Sequence, residues 1–423
     1  MRYHNRNPIR SFFAAFVAAI CLAMLFVAPA LSQTVPDHPE TCWWCARESF
    51  NLNDPEKVWS YLTADITVLN TDIKTPVYLL DAPNGSRLKK GQYAGFLYGS
   101  SVSVHVLSVE DSWARIEGYD MTNDLIEGYV RASLLKTITP SDQYGVIVDK
   151  QTQRLHLYQD GKELTQLLVS TGLPEKDKPF NETKGGEYLL SSWTGGFWSG
   201  NMYCDMGIRF NGGDLLHLVP ALINKRDGSY NFAPFEPLLG NRASHGCIRV
   251  QRVLSPEGFN MKWLWDNLKR NTKMIVWDDS DRPMFYPDPN IELFYNTNKG
   301  QNYHVDQYCR AVKDQWLPLT PIKYSDLRVS PYNKLTACKT CVNNDAGGLA
   351  HPYDIDRINE ERGFTREQAE AAQAAQAAGM PITINALPNA AEIEDFPKDE
   401  FDPNAIAIVE DVLTIDDGEW SGA

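Results

Sequence analysis

Beyond Ser32, apolar positions mostly alternate with polar ones, and helical spacing is confined to a few stretches. Val77 and Leu79, then Val102, Val104 and Val106, then the stretch around Trp113, Arg115 and Glu117 keep the two-residue period of a half-buried strand. Turn signals at Ala82-Pro-Asn-Gly85 and Lys89-Lys-Gly91 separate them, and Ile126 to Val130 with Leu134 and Leu135 closes the series. Short strands at this spacing predict a small β-barrel over 71–138. A second β-rich block follows over 142–278: strands at Tyr144 to Val148, Arg154 to Tyr158, Glu163 to Ser170, Glu187 to Trp193 and Leu215 to Val219, with Asp160-Gly161 as a hairpin turn. Met261, Leu264, Trp265 and Leu268 share one face of a helix predicted from Met261 to Lys269, a face that belongs to a core.

After Asp278 the chain becomes irregular and rich in Tyr, Pro and Asn, an extension over 279–362. The segment 363–380 carries the clearest helix, Thr365 to Ala378, capped by Thr365 with Gln368 and stopped by Gly379 and Pro381. It has almost no large apolar face, so a solvated or loosely docked helix is expected. The fold class is therefore mainly β: a barrel, then a β-rich block, then an irregular and helical C-terminal extension.

The two ends are of another kind. Arg2, Arg6 and Arg10 precede an apolar run from Phe12 to Val27, and Ala30-Leu31-Ser32 supplies small residues for cleavage. This reads as a signal peptide over 1–32, with an uncleaved anchor as the weaker alternative, and places the rest outside the cytoplasm, in the periplasm. At the other end, 381–423 is acidic: from Leu387 on, eleven acids face the single base Lys398, which accounts for most of the net charge of −14. Such a tail buries little apolar surface and is expected to be disordered. The body is only mildly acidic, which argues against a nucleic-acid partner.

Removing Cys21 with the leader leaves Cys42, Cys45, Cys204, Cys247, Cys309, Cys338 and Cys341. An odd number in an oxidising compartment suggests one free thiol and six others available for pairing. The Cys-x-x-Cys pairs at 42–45, in the N-terminal segment 33–70, and at 338–341 read as disulfides ahead of a four-cysteine zinc site, and could tie the two extensions together. No cofactor is expected, and no metal site is assigned.

Cys247 is the expected free thiol. It sits in Ser244-His245-Gly246-Cys247-Ile248-Arg249, where a base or positive charge would promote the thiolate and a glycine lets backbone N–H groups face an oxyanion. A second histidine, His217, ends a strand-like run from Gly213, and no other His or Cys lies nearby to complete a zinc site. A structural thiol or disulfide half is the bland alternative.

At these residues the chain resembles the L,D-transpeptidase catalytic domain, also called YkuD, whose motif pairs an upstream His with Ser/Thr-His-Gly-Cys-aliphatic-Arg/Asn. Tyr144 to Val148, Gln153 to Tyr158, Thr183 to Tyr188 and Arg209 to Gly213 extend the likeness over the block. The preceding barrel resembles a bacterial SH3 domain, with peptidoglycan or protein partners, or a purely positioning role, as its open readings. The resemblance implies that Cys247 attacks the third residue of a peptidoglycan stem peptide, releases D-alanine and passes the acyl group to an amine. It implies His217 as base, oriented by the Leu218 carbonyl, His245 lining the site, Gly246 and Cys247 N–H groups as oxyanion hole, and Ser244 and Arg249 toward substrate or loop. Water as acceptor would make a carboxypeptidase; a non-catalytic wall-binding or assembly protein is the alternative from another class. The gap between His217 and Ser244 is longer than the family's usual one. The excess, about Ala221 to Pro237 with Tyr230, Phe232 and Phe235, is expected to form a lid or acceptor-side loop. His156, in the opening hairpin, is expected to be structural.

Overall fold

The alternating segments fold as strands, and the longest of them build one sheet. A computed structural model describes residues 40–224, 227–280, 282–342 and 349–379, with side chains to 374. The expected leader and acidic tail lie outside the described residues.

The chain opens with α1 (Trp43–Ala46) and α2 (Pro55–Thr63). Asp54 starts α2 by accepting the Lys57 N–H at 3.0 Å, with Pro55 in the first turn. Cys42 and Cys45 form a disulfide across α1. A small β unit follows: β1 (Ile66–Leu69), β2 (Pro76–Tyr78), β3 (Phe96–Tyr98), β4 (His105–Glu110), β5 (Trp113–Tyr119), β6 (Leu125–Arg131) and β7 (Leu135–Ile138). The pairings are β1 with β7, β2 with β3, and β4-β5-β6, all antiparallel, around Leu69, Leu79, Leu97, Val104, Ile116, Ile126 and Val130. This unit starts earlier than the expected position 71. Ile66–Leu69 shows no clean alternation, being buried at three of four positions, and it becomes a strand by pairing with Leu135–Ile138.

The second block is a nine-stranded mixed sheet. Its strands are β8 (Ser141–Asp149), β9 (Arg154–Gln159), β10 (Lys162–Ser170), β11 (Gly186–Leu189), β12 (Ser192–Ser199), β13 (Met202–Asn211), β14 (Asp214–Leu218), then, after the two-residue hairpin strands β15 (Leu222–Ile223) and β16 (Tyr230–Asn231), β17 (Ile248–Val250) and β18 (Thr272–Trp277). The order is β11-β18-β8-β9-β10-β17-β14-β13-β12, with β8/β18 and β14/β17 parallel. Asp160 and Gly161 have φ of 48° and 72°, the left-handed pair a tight hairpin turn needs. The strand expected across Glu187 to Trp193 is two strands, β11 and β12, because the chain leaves one sheet edge for the other between them. α3 (Met261–Asn267) buries Met261 and Leu264 as expected, while Trp265 is only partly buried.

Both faces of this sheet are covered, which is why its central strands are apolar runs. Val146, Val148, Leu155, Leu157, Met274 and Val276 enter the main core, while Ile147, Tyr158 and Ile275 face Trp43, Trp44, Phe50, Tyr61 and Leu62. α2 lies so close that a Cβ on Gly145 would come within 2.7 Å of Leu62, so only glycine fits there.

The extension adds a small sheet of β19 (Glu292–Tyr295), β20 (Asn302–His304), β21 (Thr320–Lys323) and β22 (Thr336–Ala337), then α4 (Pro352–Glu361) and α5 (Arg366–Gly379). The Thr365–Gln368 capping box forms, at 2.8 and 3.3 Å. The helix is better docked than expected: Ala369 is fully buried, and the Gln373 amide brackets the Tyr286 backbone at 3.0 and 2.9 Å.

The loop from Leu222 to Leu238 corrects the expected lid. Tyr203 and Cys204 are consecutive on β13 and point to opposite sides. Cys204 packs with Phe197, Leu215 and Cys247, whereas Tyr230 of the loop packs at a tilt against Tyr203, 5.6 Å between rings. Leu222, Pro234 and Phe235 instead line a cavity of about 130 Å³ with Asp306, Tyr308, Cys309 and Cys341. The inserted loop is therefore a dock for the C-terminal extension.

Five buried charges and the partly buried Arg362 join the pieces. Lys150 contacts Glu182 (2.7 Å) and Asp278; Arg242 bridges Glu182 and Asp279; Arg362, after α4, reaches Asp279 at 3.2 Å. Burial opposes ionisation of Asp278, but Lys150 and Ser280 outweigh it and hold this carboxyl at about 2. Replacing Arg242 by Met leaves Glu182 and Asp279 short of a cation inside the protein. Arg242→Met is expected to cost about 3–5 kcal/mol, as breaking a buried pair usually does. Urea unfolding checks this, and a loss below about 1 kcal/mol would show that the pair holds nothing together.

Candidate active site

Two adjacent parallel strands create the site. Register pairs Leu216 with Ile248, His217 with Arg249 and Leu218 with Val250, so His217 of β14 lies beside the start of β17, and Cys247 is the residue just before it. The loop leading to Cys247 is stitched to the turn after β10: Ala243 and Ser244 N–H groups reach the Thr171 carbonyl at 2.9 and 3.1 Å, and Leu173 N–H reaches the Ser244 carbonyl at 2.9 Å. Thr183 Oγ1 donates to the Gly246 carbonyl and accepts the Gly172 N–H, both at 2.8 Å. Gly246 has φ of +116°, and a Cβ there would lie 2.5 Å from Asp214 Oδ1. Glycine is required on both counts.

His217 is 2% exposed, with Nδ1 2.6 Å from the Leu218 carbonyl, so Nδ1 carries the proton and Nε2 is left with its lone pair. Phe197 packs edge-on against its ring, 5.4 Å between centroids. Burial and then the Arg249 charge push His217 down to about 3, against the opposing pull of the Leu218 carbonyl. Burial also pushes the Cys247 thiol up to about 11, and Asp214 adds to it, while a backbone contact at Leu215, Arg249 and Lys184 act in the other direction. The resting pair at neutral pH is thus a thiol and a neutral imidazole. This differs from the thiolate that the His-Gly-Cys run suggests, because strand neighbours desolvate the sulfur more than nearby cations stabilise its charge.

The structure brings Cys247, His217, His245, Gly246, Ser244, Leu218 and Arg249 into one neighbourhood, though not all in the expected manner. Ser244 is buried; its hydroxyl donates to the Cys247 carbonyl at 2.5 Å and accepts the Gly246 N–H at 3.3 Å. These bonds tie the loop that leads to Cys247. Leu218 contributes its carbonyl, and its side chain is in the core. Arg249 is buried too, which suits the loop-fixing reading and not contact with a substrate carboxylate. His245 and Cys247 are partly exposed. His156 pairs with Glu163 at 2.8 Å in the opening hairpin, away from this cluster.

Sequence reasoning missed Lys184 and Asp214, a buried ion pair at 3.1 Å directly behind Gly246. Both residues stand inside quoted runs, but only folding shows that they meet. The cysteine count also misled. Among the described residues five cysteines are free, not one: Cys204, Cys247, Cys309, Cys338 and Cys341. Cys42 and Cys45 pair with each other near His105, while Cys338 and Cys341 lie beside His304 and Cys309, so the two Cys-x-x-Cys runs do not join the extensions.

Residues 143–276 match the family model of the L,D-transpeptidase catalytic domain, YkuD. The nine-stranded sheet is the part of the chain that is similar to the L,D-transpeptidase catalytic domain. The match takes in about a third of the chain, and both extensions fall outside it. No curated protein matches the chain. Among solved structures, an L,D-transpeptidase from Stackebrandtia nassauensis is 24% identical, over 33% of this chain and 57% of that one, with a TM-score of 0.23. One from Mycobacterium tuberculosis is 18% identical, over 40% and 67%, with a TM-score of 0.24. One from Mycobacterium smegmatis is 12% identical, over 51% and 91%, with a TM-score of 0.25. The chain thus spans little more than half of the Stackebrandtia protein.

The lowered His217 bears on the expected pH behaviour of Cys247. With His217 lowered to about 3, it stays unprotonated and able to accept a proton well below pH 6.5. Acylation of Cys247 by a carbapenem, followed by intact mass, is expected to be flat from about pH 5 to 8. An acid limb near 6.5 would mean a solvent-accessible imidazole, and a tenfold rise per pH unit would mean attack by preformed thiolate without His217.

Proposed function

We propose that this protein is a cysteine acyltransferase of the bacterial cell wall, acting outside the cytoplasm on peptidoglycan stem peptides. The observation that carries this is the coincidence of the matched segment with a buried neutral His217 on β14 and a partly exposed Cys247 just before the neighbouring β17. His217 Nε2 takes the thiol proton as Sγ attacks the carbonyl of the third stem residue. The bond to the terminal D-alanine breaks, the proton passes from His217 to the leaving amine, and a thioester remains on Cys247. An amine from a second stem then attacks the thioester, forms the amide and returns the proton to sulfur through His217.

The Leu218 carbonyl keeps the imidazole in the tautomer this requires. Oxyanion stabilisation falls to backbone N–H groups at Cys247 and Gly246. The latter donates only a long bond to Ser244, 3.3 Å, which a developing oxyanion would outcompete. Arg249 and Lys184, both buried, favour the thiolate as charge moves onto sulfur, and Asp214 disfavours it. The β unit over Ile66–Ile138 is read as an SH3-like module that positions the domain or binds the wall or a protein partner. Water in place of the acceptor amine gives an L,D-carboxypeptidase on the same residues.

Incubation with a disaccharide-tetrapeptide, read by mass spectrometry, tests the proposal. Acyl-enzyme at Cys247, released D-alanine and cross-linked dimer are expected, and all are lost in Cys247→Ala. Tripeptide without dimer would replace transfer by hydrolysis. No adduct at all on a folded protein would leave a wall-binding or assembly role in place of an enzyme.

A further inference from the structure

Outside the transpeptidase site, the extension gathers four potential ligands from three separate pieces of chain. His304 ends β20, Cys309 lies in the following turn, and Cys338 and Cys341 straddle the turn after β22. The parallel pairing of Tyr303 with Ala337 sets His304 beside Cys338, and the Cys338 N–H is bonded to the Tyr303 carbonyl at 3.0 Å. The ligand atoms of all four residues lie within 4.8 Å of one another, and all four residues are buried. Cys309 and Cys338 sulfurs are 3.9 Å apart, and Cys341 Sγ is 3.4 Å from His304 Nδ1. The three thiols are unpaired.

We propose that His304, Cys309, Cys338 and Cys341 form a structural zinc site. A tetrahedral zinc with Zn–S near 2.3 Å and Zn–N near 2.0–2.1 Å sets S···S edges of about 3.8 Å and S···N edges of about 3.6 Å. The observed separations match those edges, and the 3.9 Å gap is far beyond a disulfide bond. Three cysteines and one histidine complete the coordination of a closed, non-catalytic site. The Thr340 N–H points at Cys338 Sγ, 3.4 Å away, the kind of donor that supports a coordinating thiolate.

The extension needs such a device. Its strands are two to four residues long, too short to hold a sheet together by pairing alone. Cys309 and Cys341 also line the cavity shared with Leu222, Pro234 and Phe235, so the metal would fix the wall against which the inserted loop docks. The site is independent of the reading of Cys247.

Metal analysis of the purified full chain by plasma mass spectrometry is expected to find one zinc per chain. Replacement by Co(II) should give the intense visible d–d bands and the S→Co charge-transfer absorption of a tetrahedral thiolate site. His304→Ala and Cys338→Ser should lose the metal, His304→Cys should keep it, and the double variant Cys42→Ser/Cys45→Ser should keep it. If the first two variants fail to fold, the cobalt spectrum and a thiol count on the unaltered chain still decide. A denatured chain should release zinc and expose Cys309, Cys338 and Cys341 as free thiols. Folded chain without metal, a disulfide among these cysteines, or zinc that follows Cys42 and Cys45 would overturn the proposal.

Discussion

Arg242 holds this protein together. It stands two residues before Ser244 in the loop that delivers Cys247, and it is held between Glu182 and Asp279 with a further bond to the Gly172 carbonyl. Through Asp279 and Arg362 the same network reaches the end of α4, and through Lys150 it reaches the end of β8. Three cations and three anions balance inside a region with little solvent, which is the condition for burying any of them. The nucleophile's loop, the main sheet and the C-terminal helices therefore share one electrostatic joint.

Against that rigid frame, the site itself is kept nearly neutral. Burial raises the thiol and lowers the imidazole, so both are neutral near pH 7. A resting thiol is far less open to oxidation than a thiolate, which matters for an enzyme read as working in an oxidising compartment. In the proposed reaction, proton transfer to His217 sets the reactivity, and Arg249 and Lys184 favour negative charge on sulfur.

Local chemistry was legible in the sequence wherever neighbours in the chain are neighbours in space. The Asp160-Gly161 turn, the Thr365 cap and the bond from His217 to the next residue's carbonyl are all of this kind. Motif resemblance carried the pairing of Cys247 with a residue thirty positions earlier. What stayed hidden depends on long-range packing. Lys184 meets Asp214, and Arg242 meets Asp279, only after the sheet closes. His304 and Cys309 are unremarkable singly, so the count of cysteines pointed to disulfides. The inserted loop read as a lid because the gap before Ser244 is long, whereas the alternation along β13 puts Tyr203, and Tyr230 packed on it, on the side away from Cys204 and Cys247.

The covering of the sheet has a consequence for how the molecule divides. Ile147, Tyr158 and Ile275 lie inside the family-matched segment, yet the apolar surface that shields them comes from Trp43 to Leu62. Lys273 Nζ, likewise within the segment, donates to the Tyr61 carbonyl at 2.6 Å. A piece cut at the edges of sequence similarity would bare this face and leave that ammonium with Glu187 but without the Tyr61 carbonyl. The segment that carries the family likeness is therefore smaller than the unit that covers its own apolar surface, and Trp43 to Leu62 form part of its interior.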